Sequence, residues 1–427
     1  MKVLVISHNA FTSYAAMGKT FLSLFQCFKK EEVCQLYIYP TIPDVARCRS
    51  YFRITDKDVL AGKGIFRVKG TIVSEEQIQG AKSTFFENSS DEKLYRNKKN
   101  KRPLRVLARD LMWKYSRWFS PELKKWIENE RPTHLFVAPG DGKFLYDVAL
   151  KIAHRWNLPI IAYICDEYYF RLPEQTRLGR IKQRLLKKKI EGFMKNVSTL
   201  VAISQELADC YGETFKIPTT TIMTGTSIKR CVSPQEEQSK LRSMTYMGNV
   251  RGNRFYSLRE IGLVLDELNR ERGENFTFDI YTPEKDAEIL SVLQEPKSIR
   301  LRGFVSGEEY FNVFYNADIL SHVEAFDEKS IDLVKHSVST KIADCLGRGK
   351  SFFAYAPETT SSAKHLLRTD GAIVAVSRAE LKQKLELVFD NAEARKSKIT
   401  NALKAASVYH DSQTNSRRLY QIFEDIQ

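Results

Sequence analysis

The sequence predicts an α/β protein made of two similar halves, each a parallel sheet covered by helices. Two observations carry this reading. Short β-branched or aromatic runs alternate with helix-period segments along all 427 residues, the pattern of strand–helix–strand crossovers. At roughly 100–200 residues per domain, that length calls for two or three domains. A content of 43% hydrophobic and 11% aromatic residues can fill real cores, which excludes global disorder.

In the first half, the apolar runs at 3–6, 35–39, 134–138, 160–164 and 200–203 are expected strands. The second series is expected at 220–223, 244–247, 277–281, 299–301, 319–321, 352–355 and 372–376, with helical stretches such as 257–270 and 284–293 between them. The halves meet near 213–218, which gives domains 1–215 and 216–427. Ligand is expected where the carboxyl ends of the strands face a central cleft. Residues 45–120 lose the alternation and become charged, with Asn97 to Pro103 as an exposed turn, and read as an insertion in the first half. The last helical stretch, about 415–426, goes with the second domain by chain position, although its own pattern does not say which half it packs on.

Charge narrows the partners. The chain has 67 Lys and Arg against 52 Asp and Glu, a net +15, which points to an anionic partner: nucleic acid, an acidic membrane or a phosphorylated ligand. Seven cysteines, scattered and never spaced as CxxC, signal neither a disulfide framework nor a zinc site and fit a reducing cytosol. The first apolar run is too short for a signal peptide, and none approaches the roughly 18 residues of a spanning helix, so any membrane contact is expected to be peripheral.

Several stretches could carry chemistry. After the strand ending at Met247 comes Gly248-Asn249-Val250-Arg251-Gly252-Asn253-Arg254. A glycine there lets a ligand approach the backbone, and guanidinium groups can clamp phosphate oxygens; the alternative is a solvated turn with two surface arginines. The run from Ser337 to Lys350 reads as a helix start capped by hydroxyls and ended by glycines. Ser339 and Thr340 suit a phosphate at a helix N-terminus, where Lys341 adds a charge that the macrodipole alone would disfavour. Asp344, one turn on, could accept the two vicinal hydroxyls of a ribose, unless the stretch is an ordinary capped helix with an i, i+3 ion pair. Ser13 to Thr20 spells SxxxxGKT without the first glycine of a phosphate-binding loop, so only Gly18 is retained, as a point of close backbone approach to a phosphate or sugar. Pro139-Gly140-Asp141-Gly142 and Cys165-Asp166-Glu167-Tyr168-Tyr169 each follow a first-half strand and offer polar contacts to a hydroxylated substrate, with helix capping the rival role for Asp141. His8, after the first strand, is either a cleft group or a structural histidine.

Two basic amphipathic stretches hold much of the excess charge. Leu104, Leu107, Leu111, Tyr115 and Trp118 recur beside Arg102, Arg105, Arg109, Lys114 and Arg117, with Trp113 and Trp126 nearby; Ile181, Leu185 and Leu186 sit among the cations of 177–189. Each suits an anionic lipid surface, with tryptophans at headgroup depth, and each also suits a core-facing stripe with a solvated basic face.

Taken together, the glycine after the first strand, the Gly248 to Arg254 stretch, Arg302-Gly303-Phe304-Val305 and Ser339 to Lys350 resemble glycosyltransferase family 4 enzymes of the GT-B fold, two Rossmann-like domains facing a central cleft. The resemblance implies that Gly248 closes the first strand of the second domain, that Asn249 replaces a basic residue, and that Arg254 stands in a lysine's place with Arg251 a substitute for the missing charge. It implies that Asp344 is the second of a pair of acids, the ribose ligand, and that the first is replaced by His336, with Glu324 and Asp327 as compensation. Ser339 and Thr340 then face the diphosphate, and Phe304 and Val305 lie beside the base.

The function expected from this is transfer of a sugar from a nucleoside diphosphate sugar, a UDP-sugar foremost, to a glycan or lipid-linked acceptor in bacterial surface polysaccharide synthesis, with retention and at the inner face of the cell membrane. No metal or resident cofactor is indicated; Arg254, Lys341 and Asp166 are the candidate catalytic groups. A sugar-nucleotide epimerase would form product without an acceptor, and a non-catalytic binding protein would not turn over the donor. Nucleic acid ranks last among the partners, because the basic stretches accompany no recognisable nucleic-acid module.

Overall fold

A computed structural model describes residues 1–13, 16–62, 68–80, 103–228, 241–305 and 307–426. The expected turn at 97–103, apart from Pro103, together with Arg102 and Cys231, lies outside them. The chain divides into two compact units, Met1–Met223 with Gln413–Gln427, and Thr224–Ser412.

The described residues of the first unit form an eight-stranded sheet in the order β4-β3-β2-β1-β5-β6-β7-β8. Its strands are β1 Val3–Ser7, β2 Val33–Tyr37, β3 Ser50–Arg53, β4 Thr71–Val73, β5 His134–Ala138, β6 Ile160–Ile164, β7 Val197–Ala202 and β8 Thr219–Thr221. The central strand pairs in parallel on both sides, Val3 with Val33 and with His134. Every residue of β1, β2, β5 and β6 is buried. Parallel strands covered on both faces read as near-continuous apolar runs, which is why these stretches stand out in the sequence despite the buried Ser7, Gln35 and His134.

Four expectations change. The run at 220–223 belongs to the first sheet, since β8 pairs with β7, Leu200 opposite Thr219. The segment read as an insertion supplies edge strands: β3 runs parallel to β2, and β4 pairs antiparallel with β3. The unit boundary falls after Met223, not at 215, and the helix Ser412–Asp425 packs on the first unit. Its buried Leu419 and Phe423 join a cluster with Phe25, Phe28 and Phe136, Phe423 meeting Phe28 edge-on at 5.8 Å. Burying two such side chains stabilises by about 1.5–3 kcal/mol each. Ser416 accepts from the Cys27 amide at 2.8 Å, and Asn415 donates to the Met223 carbonyl at 3.0 Å.

The second unit has a six-stranded parallel sheet in the order β11-β10-β9-β12-β13-β14. Its strands are β9 Ser243–Met247, β10 Thr277–Tyr281, β11 Ile299–Gly303, β12 Ile319–Val323, β13 Ser351–Tyr355 and β14 Ile373–Ala375. Met244 lies opposite both Phe278 and Ile319. In each sheet the chain moves outward on one side of its first strand and then on the other. The two switch points, β1/β5 and β9/β12, are where crossover helices diverge and leave an open crevice at the carboxyl ends.

Candidate functional site

At the β9/β12 switch point, Gly248 follows β9, and its amide donates to the Tyr281 carbonyl at 2.9 Å. The helix Thr340–Gly347 begins beside it, with Ser339 at the N-cap making no side-chain cap bond. Lys341, in the first turn, lays its ammonium against Gly248 so closely that a Cβ on residue 248 would overlap Nζ. Nζ also stands 5.8 Å from the Tyr246 ring centroid. A cation at a helix N-terminus, over a backbone that only glycine leaves open, is an arrangement that favours an anion between them.

Arg254 starts the helix Arg254–Arg272 after Asn253, which adopts φ 61°. Its Nε donates to Glu324 Oε2 at 2.8 Å across the switch point, where Glu324 follows β12. His322 Nε2 lies 3.2 Å from the other Glu324 oxygen. Burial alone would push the Glu324 carboxyl up; His322 and the Arg254 guanidinium outweigh it and hold the carboxyl at about 2. Arg251 turns instead to Glu284, gripping both carboxylate oxygens at 2.5 Å. Asn249 Oδ1 accepts from the Arg251 amide at 2.9 Å, fixing the turn between the glycines. Asp327 caps the helix Glu328–Val334 and accepts from Asn253 at 3.0 Å.

Asp344 accepts from Thr226 Oγ1 at 2.8 Å through one oxygen and from the Tyr310 hydroxyl at 3.2 Å through the other. Each oxygen keeps a second lone-pair direction for a ligand hydroxyl. Phe304 is exposed beyond Gly303, and Val305 beside it is buried. His336 is half-buried and lies between the helices Glu328–Val334 and Thr340–Gly347. The structure thus brings Gly248, Lys341 and Tyr246 together and pairs both arginines with acids. Sequence reading did not supply Glu284, Thr226 or Tyr310, because nothing in their local runs marks them as partners of residues 33, 118 and 34 positions away.

Asp166 belongs to the first unit. A cavity of about 160 Å³ at the β1/β5 switch point is lined by His8, Tyr39, Asp141, Tyr163, Asp166 and Tyr168, among others. Asp166 follows β6 and accepts from the Tyr168 hydroxyl at 3.2 Å. Asp141 lines the cavity, and the helix Lys143–Trp156 takes Gly142 as its N-cap with no side-chain cap bond, so capping is not its role. Glu167 does not open onto a site: it is fully buried, accepting from the Phe170 amide at 2.8 Å. Gly18 also reads differently from expectation, because a Cβ there would collide with the hydroxyl and backbone of Thr12. Its close approach is to the chain's own loop.

Three histidines make the fold acid-sensitive. His365 and His410 are buried in the second unit with their Nε2 atoms 2.9 Å apart, and His410 Nδ1 meets the Thr224 carbonyl at 2.9 Å. One ring must donate and the other accept, so the pair cannot carry two charges, and burial disfavours even one. Desolvation pushes His365 well below 6.5, with His410 and Arg368 adding to it, and desolvation brings His410 to about 4. His8 is also lowered to about 4, first by desolvation and then by Arg109. Between pH 6.5 and 4 the unfolded chain binds protons that the folded chain refuses, so stability falls as pH drops through that window. Thermal unfolding at pH 5 is expected to show a midpoint several degrees below that at pH 7.5, and an unchanged midpoint would contradict the buried neutral pair.

The first basic helix, Pro103–Tyr115, buries what sequence reading placed at headgroup depth. Trp113 is buried and donates to Asp56 at 2.8 Å, and Trp118 and Trp126 are buried too. The exposed apolar positions are Leu104, Leu111 and Tyr115, at 66%, 53% and 76%. On the helix Arg177–Met194, which packs against it, Ile181 and Leu185 are exposed. No helix among the described residues is long and apolar enough to cross a membrane.

The fold is GT-B, two Rossmann-like units in one chain. Among solved structures the chain is similar to Anabaena HepE in complex with UDP (TM-score 0.64, 9% identity, covering 100% of both chains). It is also similar to sucrose-phosphate synthase from Thermosynechococcus elongatus (TM-score 0.62, 9% identity, 100% of this chain and 99% of that one). A third is the UDP-forming α,α-trehalose-phosphate synthase from Burkholderia vietnamiensis (TM-score 0.60, 8% identity, 100% of both). No protein-family profile and no curated protein sequence matches the chain.

Proposed function

We propose that this protein is a glycosyltransferase, related to family 4, that moves a sugar from a nucleoside diphosphate sugar to a glycan or lipid-linked acceptor. The observation that carries this is the Lys341 ammonium held against Gly248 at the switch point of the second unit. That cation, the amides at the start of its helix and the hydroxyls of Ser339 and Thr340 would stabilise charge growing on a leaving diphosphate. Asp344 would take the ribose hydroxyls and exposed Phe304, with Val305, the base. A UDP-sugar is the favoured donor, a choice supported by the solved neighbours named as UDP complexes. No dedicated nucleophile is evident among these residues, so we read the step as same-face attack, with retention. The acceptor hydroxyl attacks the anomeric carbon as its bond to the diphosphate breaks, and the leaving phosphate takes the hydroxyl proton.

Calorimetry with UDP tests the donor site. Asp344→Ala is expected to weaken binding about tenfold through lost charge-assisted hydrogen bonds, while unchanged affinity would remove Asp344 from the site. Product formed only when an acceptor is present separates transfer from epimerisation.

The reading extends to a peripheral site of action on the inner face of the cell membrane, in surface polysaccharide synthesis. Its support is the exposed Leu104, Leu111, Tyr115, Ile181 and Leu185 beside exposed Arg105, Lys114, Arg177, Arg180, Arg184 and Lys188. Each cation near an anionic surface contributes about 1 kcal/mol. Cosedimentation with phosphatidylserine vesicles at low salt is expected, declining as salt rises; equal binding to neutral vesicles, or none, would reject it.

A further inference from the structure

We infer that the cavity of the first unit takes an uncharged, hydroxyl-rich group, a single sugar residue of the acceptor, and excludes phosphorylated sugars. This rests on the transferase reading and adds the acceptor's chemical class to it. The cavity sits at the β1/β5 switch point, where an open α/β sheet places ligand. Its volume of about 160 Å³ is small beside the roughly 300–1,000 Å³ of sites for drug-sized ligands, so it suits one ring rather than a chain of them.

Its polar lining has a specific character. His8 lines the cavity, with its ring 5.8 Å from Tyr39 and 5.6 Å from Phe144. Gly140, at φ 65°, and Gly142 pack on the same imidazole, where side chains would press against its ring atoms at 3.3 and 3.2 Å. Both His8 nitrogens are shut off from bulk solvent and make no well-formed hydrogen bond among the described residues, with only a weak interaction with the Pro139 carbonyl reaching the ring, and the Tyr163 hydroxyl has no partner among those residues. Buried polar atoms left in that state cost free energy unless a ligand or water meets them. Burial keeps His8 neutral, with one donor and one acceptor nitrogen. Two carboxylates, Asp141 and Asp166, complete the polar wall.

This set matches alcohol hydroxyls, each of which both donates and accepts. It does not match a phosphate, which would bring only acceptor oxygens and negative charge toward two carboxylates. Among the described residues no lysine or arginine lines the cavity. Two cations come near: Arg109, whose charge reaches His8, donates to Asp56 at 2.9 Å and lies over the Phe144 ring at 4.7 Å, and Arg171 lies over the Tyr168 ring at 4.5 Å.

Saturation-transfer NMR on the full chain, with a panel of methyl hexosides and the matching hexose 6-phosphates, decides the matter. At least one neutral glycoside is expected to bind, at least tenfold more tightly than its phosphate. Tyr163→Phe should weaken that binding without lowering the thermal midpoint, since the hydroxyl it removes makes no bond among the described residues. Asp141→Asn with Asp166→Asn should shrink the discrimination against phosphate, a ratio that a purely structural role would not move. Phosphates binding as tightly as glycosides, or no glycoside binding at all, would overturn the inference. UDP affinity measured on the same samples reports the donor site separately, so its loss would count against the transferase reading and its retention would confine the failure to this cavity.

Discussion

Replacing Lys341 with alanine is expected to lower sugar transfer by about 100- to 1,000-fold, the usual effect of deleting one preorganised donor at developing negative charge. The ammonium lies against the Gly248 backbone and beside the Tyr246 ring, in the first turn of a helix whose dipole opposes a cation. The helix dipole disfavours the cation there, and a bound diphosphate would draw ammonium, amides and anion into mutual attraction. Lys341→Ala should therefore lower UDP affinity and turnover together. Gly248→Ala is the complementary change, because its methyl would occupy the position of the ammonium and displace it. UDP affinity within twofold of wild type in Lys341→Ala would remove this lysine from the donor site.

Arg254→Ala should produce the largest loss of stability, about 3–5 kcal/mol, because it strands a buried carboxylate. Glu324 is buried, with Arg254 at 2.8 Å on one oxygen and His322 at 3.2 Å from the other. Its carboxyl sits at about 2 in the fold, below its ordinary 4.5, because His322 and Arg254 outweigh the opposing effect of burial. A depressed carboxylate contributes stability that is complete above 4.5 and is lost as pH falls towards 2. Without Arg254 the carboxyl rises, and the variant should lose less stability on acidification than wild type. Adding Glu324→Gln removes the stranded charge and should restore much of the midpoint. Nucleotide binding then separates two roles: if the double variant binds UDP as wild type does, Arg254 positions the turn and does not touch the diphosphate; continued weakness assigns it to the donor.

Much of the fold was legible because parallel strands covered on both faces are mostly apolar and β-branched or aromatic. The runs at 134–138, 160–164 and 277–281 have the same bounds in the structure. Edge strands were not: β3 and β4 are short, β4 is mostly exposed, and the charged surroundings hid both. Apolar character also does not name a partner, so the run at 220–223 was placed with the wrong sheet.

The candidate site divides in the same way. Gly248, Lys341 and Asp344 stood out because their chemistry is local, a glycine at a strand end and charged groups in the first turns of a helix. The pairing of Arg251 with Glu284 and of Arg254 with Glu324 depends on which strand ends converge. So does the setting of His8, whose burial follows from the two glycines after β5.

By itself, then, the sequence determined the α/β class, most of the strands and the placing of Gly248 at a strand end and Lys341 at a helix start, because burial periodicity and helix-terminus signals are properties of short segments. Only the tertiary structure decided where the units divide, that the last helix returns to the first unit through Phe423 and Phe136, which acids neutralise the two arginines, and that Trp113 of the first basic helix and the nearby Trp118 and Trp126 are core. Those outcomes depend on contacts between residues far apart in the chain, whose energies arise only once the sheets have brought them together.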